Sequence, residues 1–163
     1  MSATGLEVFD TTLHKTHRWL NELMLIMGWQ DRHRAYLAMR VTLHALRDRL
    51  TVEEAAQLAA QLPMLIRGFY YEGWYPTGKP VKERHLDQFL AHIVQSMRGD
   101  EPVNPKEVAE GVFAVLARRI SEGEIEDVKH VLPAEIRSLW PAAPVGAGAG
   151  SGLGRSPSPT PLP

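Results

Sequence analysis

The chain has 163 residues, no cysteine, and 18 basic against 19 acidic side chains, for a formal charge of -1. That length is enough to bury one core. The missing cysteines exclude disulfides and thiolate metal sites, and the near-neutral charge gives no global attraction to nucleic acid or to an anionic membrane.

Residues 1–9 are expected to form a flexible lead. They contain no basic stretch followed by an apolar core, so no secretory signal is expected. No apolar run approaches the roughly 20 residues that span a bilayer, and the expected setting is cytoplasmic. Asp10 predicts an N-cap for a helix over 11–28. On it Thr16, Trp19, Leu20, Leu23, Met24 and Met27 recur at spacings of three and four. Asp31 predicts the cap of a second helix over 32–49, with Tyr36, Met39, Leu43, Leu46 and Leu50 facing inward.

Thr51-Val52-Glu53-Glu54 reads as a capping box. The hydroxyl accepts from a first-turn amide while the glutamate reaches back to the cap amide. Pro63 ends this short third helix and starts a fourth, because proline suits the first turn and not the interior. A connector rich in aromatic residues, glycine and proline runs from Gly68 to Pro80. Beyond it come a stripe at Leu86, Phe89, Leu90, Ile93, Val94 and Met97, and a helix start at Asn104-Pro105. A second capping box, Ser121-Glu122-Gly123-Glu124, and a second proline start at Pro133 follow. The reading is all-α, eight helices with no strand pattern. Residues 142–163 turn to alanine and glycine and then to Ser-Pro and Thr-Pro steps, a composition that predicts a disordered, partly polyproline-like tail.

Residues 14–71 recur 70 positions later, without a gap, as residues 84–141. Identities include Leu46/Leu116, Arg49/Arg119, Glu54/Glu124, Leu62/Leu132, Pro63/Pro133, Ile66/Ile136 and Arg67/Arg137. The expected architecture is therefore two tandem four-helix units, repeat 1 over 10–75 and repeat 2 over 76–141, packed about a pseudo-twofold as one domain. What both copies keep reads as fold. What one copy alone has is where specific function is to be sought. The Glu54/Glu124 identity is accounted for by the capping boxes.

Leu62-Pro63 through Arg67, the run Tyr70-Tyr71-Glu72-Gly73-Trp74-Tyr75-Pro76-Thr77-Gly78-Lys79-Pro80, Phe89-Leu90, and the closing Leu132-Pro133 through Trp140 together resemble the bacterial family called domain of unknown function 2267. The resemblance covers roughly residues 5–141. It implies an all-helical, cytoplasmic protein and supplies no catalytic residue.

Arg67 and Arg137 come one turn into their helices beside an apolar isoleucine, so partly buried guanidinium groups are expected there. Asp31, Glu101 and helix-end carbonyls are the candidate acceptors, and internal clamping is preferred over an anion site. Arg49 and Arg119 fall in a last helical turn, where a cation suits the dipole. His14 and His17 lie one turn apart and are the weak metal candidates; a surface reading is preferred, and no metal or other cofactor is expected. In the connector, Phe69, Tyr70 and Trp74 are expected to seal the seam between the copies. The rival reading makes Tyr71, Trp74, Tyr75 and Lys79 a partner-binding surface. Arg32, His33, Arg34, Arg40, Arg47 and Arg49 form a basic cluster. The second copy places Glu107 and Glu110 opposite Leu37 and Arg40, so this reads as a solvated face rather than a phosphate-binding one.

No nucleophile–base pair, phosphate loop or paired-carboxylate pattern stands out. The expectation is a helical interaction or adaptor module without catalytic activity, whose partner is another protein. The alternatives are a small-molecule or metal-binding protein with a pocket between the repeats, and a nucleic-acid-binding protein.

Overall fold

The computed structural model describes residues 2–98 and 101–142; the rest of the tail, 143–163, lies outside them. Among the described residues the chain is all-helical, with eight helices and no strand. These are α1 (Glu7–Met27), α2 (Arg32–Arg47), α3 (Val52–Ala60), α4 (Met64–Tyr71), α5 (Leu86–Ser96), α6 (Pro105–Arg119), α7 (Glu122–Val131) and α8 (Ala134–Arg137). Among the described residues, no helix is long and apolar enough to cross a membrane.

Local chemistry sets most of the boundaries. The Asp31 carboxylate accepts from His33 N–H at 2.9 Å and starts α2. The Asn104 side chain accepts from Lys106 and Glu107 N–H, with Pro105 at the first helical position. Gly28 ends α1 at φ 67°, a left-handed conformation that returns its N–H to Met24 O. Pro63 and Pro133 immediately precede α4 and α8. Val52 and Glu122 open α3 and α7, and Met64 and Ala134 open α4 and α8, each pair 70 positions apart.

Three expectations are corrected. α1 starts at Glu7, a turn before the expected position, and Asp10 lies inside it. Its carboxylate reaches back to Ser2 and to Thr4, accepting from Thr4 N–H at 3.0 Å and Thr4 Oγ1 at 2.8 Å, so it fastens the lead to the helix instead of starting it. Those bonds hold the Asp10 carboxyl below its ordinary value. α2 ends at Arg47 rather than 49, because Arg49 and Leu50 turn tightly, with amides bonded to Leu46 O and Arg47 O. Val94 is exposed rather than part of the inward stripe.

The core centres on α2 and α6. Ala35, Ala38, Met39, Leu43 and Leu46 of α2, and Val108, Val112, Phe113 and Leu116 of α6, are fully buried. Full burial of each such large side chain is worth roughly 1.5–3 kcal/mol. α1 lies against α2, α4 and α6; α5 lies against α6, α8 and α2; α3 lies against α7. The helices before and after the connector therefore share one core. Close approach of α1 and α6 requires Gly111, where a Cβ would lie 2.8 Å from Met27 Sδ and 3.2 Å from Leu23 Cδ1.

The ring and hydroxyl contacts of Phe69 and Tyr70 fall within the first half of the chain rather than between the halves. The Phe69 ring meets Tyr36 of α2 edge-on at 5.4 Å, and Tyr70 donates its buried hydroxyl to Ala55 O of α3 at 2.7 Å. They fasten α4 to its own neighbours, α2 and α3. Trp140 does the equivalent beyond α8, stacking on Phe113 at 4.3 Å.

Candidate functional site

The arginines are distributed differently from the sequence reading. The buried guanidinium groups are Arg47 and Arg49. Arg47 donates to Tyr70 O, to Glu72 O at 2.9 Å and to Asp48 Oδ1 at 3.2 Å, so it holds the carbonyl end of α4. Arg49 donates to Ala45 O at 2.9 Å and Glu83 Oε2 at 2.5 Å, and lies over the Phe89 ring at 5.1 Å. Arg137 is exposed and donates to Lys129 O and Leu132 O, both at 2.9 Å, holding the end of α7. Arg67 is half-buried and has no side-chain hydrogen bond or ion pair among the described residues. Asp31 and Glu101 serve neither Arg67 nor Arg137. Asp31 caps α2, and Glu101 pairs with Arg34 at 3.2 Å. The expected duplicate clamp is thus found on one side only.

The basic cluster is largely neutralised from within. Arg34 also stacks over Trp29 at 4.5 Å, Arg40 pairs with Glu72 at 3.4 Å, and Arg32 donates to Asn21 at 3.2 Å. Arg118 and Arg119 both pair with Glu22 of α1, at 3.0 and 2.7 Å. In the connector, Tyr71 and Trp74 are half-buried with their rings 5.5 Å apart, Lys79 is half-buried and Tyr75 is exposed. Trp74 Nε1 is buried without a hydrogen-bond partner among the described residues. The structure brings Tyr71 and Trp74 together. It does not gather Arg137 with them, since that residue belongs to the α7–α8 corner.

A groove that sequence reading missed runs between α1, α2 and α4. Its volume is ≈ 580 Å³. Leu13 and Leu20 of α1, Tyr36 of α2, and Leu65 and Phe69 of α4 form its apolar walls, and Gly68 leaves it open. His17, Arg32, His33 and Glu72 stand among the walls as its polar groups. Tyr36 was legible only as core, and His17 only as a possible ligand. His14 and His17 are both exposed, and no group of three or more metal-binding side chains exists among the described residues. Beneath the groove, His44 Nε2 donates to Phe69 O at 2.6 Å. Burial holds His44 below the ordinary histidine value, with that carbonyl acting against it.

Two further features cross between the halves. A cavity of ≈ 850 Å³ opens where α1 meets α6, walled by Ile26, Met27, Lys106, Glu110, Gly111 and Trp140. In the α3–α7 seam, Glu54 and Glu124 are both buried. Their amides do donate to Thr51 Oγ1 and Ser121 Oγ, at 3.1 and 3.3 Å. The return bond of a capping box is absent in both, among the described residues. Ser121 N–H goes instead to Gln61 Oε1 at 3.0 Å. The two glutamates are therefore not explained by capping alone.

Compared with known proteins, the chain has no match among curated proteins. A family model described as "Uncharacterized conserved protein (DUF2267)" matches residues 16–139, spanning α2 to α7 entirely, most of α1 and all of α8. The match runs through the groove, the connector and the α3–α7 seam, and by it the chain belongs to the domain of unknown function 2267 family.

Proposed function

We propose that this protein is a non-catalytic helical interaction module that binds another protein chain through the groove between α1, α2 and α4. The observation that carries this reading is the groove itself, apolar within and polar in a few positions, the composition of a protein-binding patch. Its apolar surface continues past the contact of α1 with α4. Phe9, Met64 and Leu65 are 50%, 44% and 42% exposed, and Leu6, Val8 and Met64 line an adjoining cavity of ≈ 600 Å³. Contiguous exposed apolar surface of this kind marks interaction sites. The test compares proteins co-purified from the native host by the full chain and by its Leu65→Asp and Tyr75→Ala variants. A specific partner lost with Leu65→Asp and kept with Tyr75→Ala is expected. The reverse pattern would return the site to the connector. Both substitutions are at exposed positions, so circular dichroism should show an unchanged fold. The reading carries a cytoplasmic setting, which fractionation of the host tests.

The small-molecule alternative rests on the cavity between α1 and α6, whose volume falls in the ligand-pocket range of roughly 300–1,000 Å³. The nucleic-acid alternative is disfavoured by the internal partners of Arg34, Arg40, Arg47 and Arg49. The reading also treats the two halves as copies of one unit about a pseudo-twofold. Its support is the recurring helix starts and the exchange of partners, α1 with α6 and α5 with α2.

A further inference from the structure

The α3–α7 seam is tied at one end and acidic further along. Gln61, which ends α3, donates from its amide to Ser121 Oγ at 3.1 Å and accepts from Ser121 N–H at 3.0 Å. With the Ser121 amide so occupied, Glu124 has no cap amide to reach. Glu54 on α3 likewise leaves its own cap amide, and both side chains turn into the seam.

Glu54 is 7% exposed and Glu124 is 8% exposed. Oε1 of each is fully buried and takes no hydrogen bond from any other donor among the described residues. α3 packs against α7, and both carboxyls are buried on those two helices. No arginine or lysine pairs with either one among the described residues. Two carboxylates cannot hydrogen-bond each other, and burying both without a cation is costly. A carboxylic acid beside a carboxylate removes both problems. One added proton turns two orphaned acceptors into a donor and an acceptor.

We propose that Glu54 and Glu124 hold one proton between them, which makes the α3–α7 seam a proton-operated latch joining the two halves of the chain. The proton is bound or released with no other chemical change. With it the seam is closed. Without it two like charges are held together in the largely buried seam and push α3 from α7.

The direction of the pH response follows. Burial first, then the hydrogen bond to Glu124 and the charges of Glu124, Asp127 and Glu53, push Glu54 from 4.5 up to about 8. The other titratable groups facing the pair are His130 of α7, across the same cleft, and Tyr70 of α4. No charged side chain of α6 lines that cleft among the described residues. Through Glu54 the folded protein holds more protons than the unfolded chain between pH 4.5 and about 8, while His44, held below its ordinary 6.5, acts the other way at the lower end of that window. The contribution is complete below pH 4.5 and is lost as pH rises through about 8. Taken alone, that one extra bound proton lowers the folding equilibrium constant by about tenfold for each pH unit of rise inside the window.

The test uses the full chain with carboxyl-labelled glutamate, followed by carbon NMR, and urea stability from about pH 5 to about pH 9. In the folded wild type, one glutamate carboxyl is expected to titrate well above the ordinary range. Stability is expected to fall between pH 6.5, above which His44 is neutral in both states, and about 8. In Glu54→Gln and Glu124→Gln the amide is a permanent donor, so that fall should flatten, whereas His130→Asn should keep it. The proposal is overturned if every carboxyl titrates in the ordinary range, if both glutamine variants keep the wild-type slope, or if His130→Asn abolishes it. Should a glutamine variant not fold, the wild-type titration still decides.

Discussion

Replacing Arg47 with methionine should release the end of α4 from α2. Arg47 is the last residue of α2 and is 4% exposed. Its guanidinium satisfies Tyr70 O and Glu72 O, carbonyls at the end of α4 where no intrahelical donor remains. A hydrogen bond from a charged donor is worth roughly 1.5–3 kcal/mol, and a buried carbonyl left without one costs roughly 1–3 kcal/mol. Removing the guanidinium also recovers part of its own desolvation cost. Methionine keeps the packing of the stem, so the net loss should be about 2–4 kcal/mol, carried by the hydrogen bonds. Lysine keeps the charge but has one nitrogen for the three acceptors that Arg47 serves from Nη1 and Nε, and Arg47→Lys should lose about half as much. Asp48→Asn should cost less than about 1 kcal/mol, because asparagine keeps an Oδ1 that can accept from Arg47 Nε and the two carbonyls still hold the guanidinium. Arg67→Met, at a site with no bonded partner among the described residues, should also stay below about 1 kcal/mol. Urea unfolding followed by far-ultraviolet circular dichroism measures all four, with an unchanged slope on denaturant showing that compactness is preserved. If Arg47→Met costs no more than Arg67→Met, the assignment of Arg47 as the α4 clamp is wrong.

Two other substitutions probe the packing. Gly111→Ala puts a Cβ 2.8 Å from Met27 Sδ and 3.2 Å from Leu23 Cδ1, both side-chain ends that can shift, and the gain in helix propensity offsets part of that, so its effect should stay within about 1 kcal/mol of neutral. Gly111→Val adds two methyls at the same crowded point and should cost about 1–3 kcal/mol, and a valine variant melting with the wild type would contradict the close approach of α1 and α6. Tyr70→Phe removes the buried donor to Ala55 O and should cost about 1–3 kcal/mol in the same urea assay; a neutral result would mean that Ala55 O finds another donor.

Much of the helix pattern was legible because it is local. Caps at Asp31, Thr51, Asn104 and Ser121 act over two or three residues, and each makes the bond its side chain implies. Where a local rule failed, a competing partner explains it. Asp10 found Thr4 and Ser2 behind it, and Ser121 N–H found Gln61 of α3. The arginines mislead for a related reason. Arg67 and Arg137 match in sequence, yet Arg137 bonds two carbonyls at the end of α7 while Arg67 bonds nothing among the described residues. The buried clamp of α4 is Arg47, whose position 70 residues on is Ala117.

By itself the sequence determined the helical class, the number of helices, and most of their starts, through capping and apolar spacing that depend on neighbours within a turn or two. It also made Glu54 and Glu124 equivalent, and offered capping as a sufficient reason. Tertiary structure alone decided that α3 packs against α7 and that Gln61 takes the Ser121 amide. It also decided that α1, α2 and α4 enclose an apolar groove. Those outcomes depend on which helices lie side by side, and residues far apart in the chain carry no local signal of that.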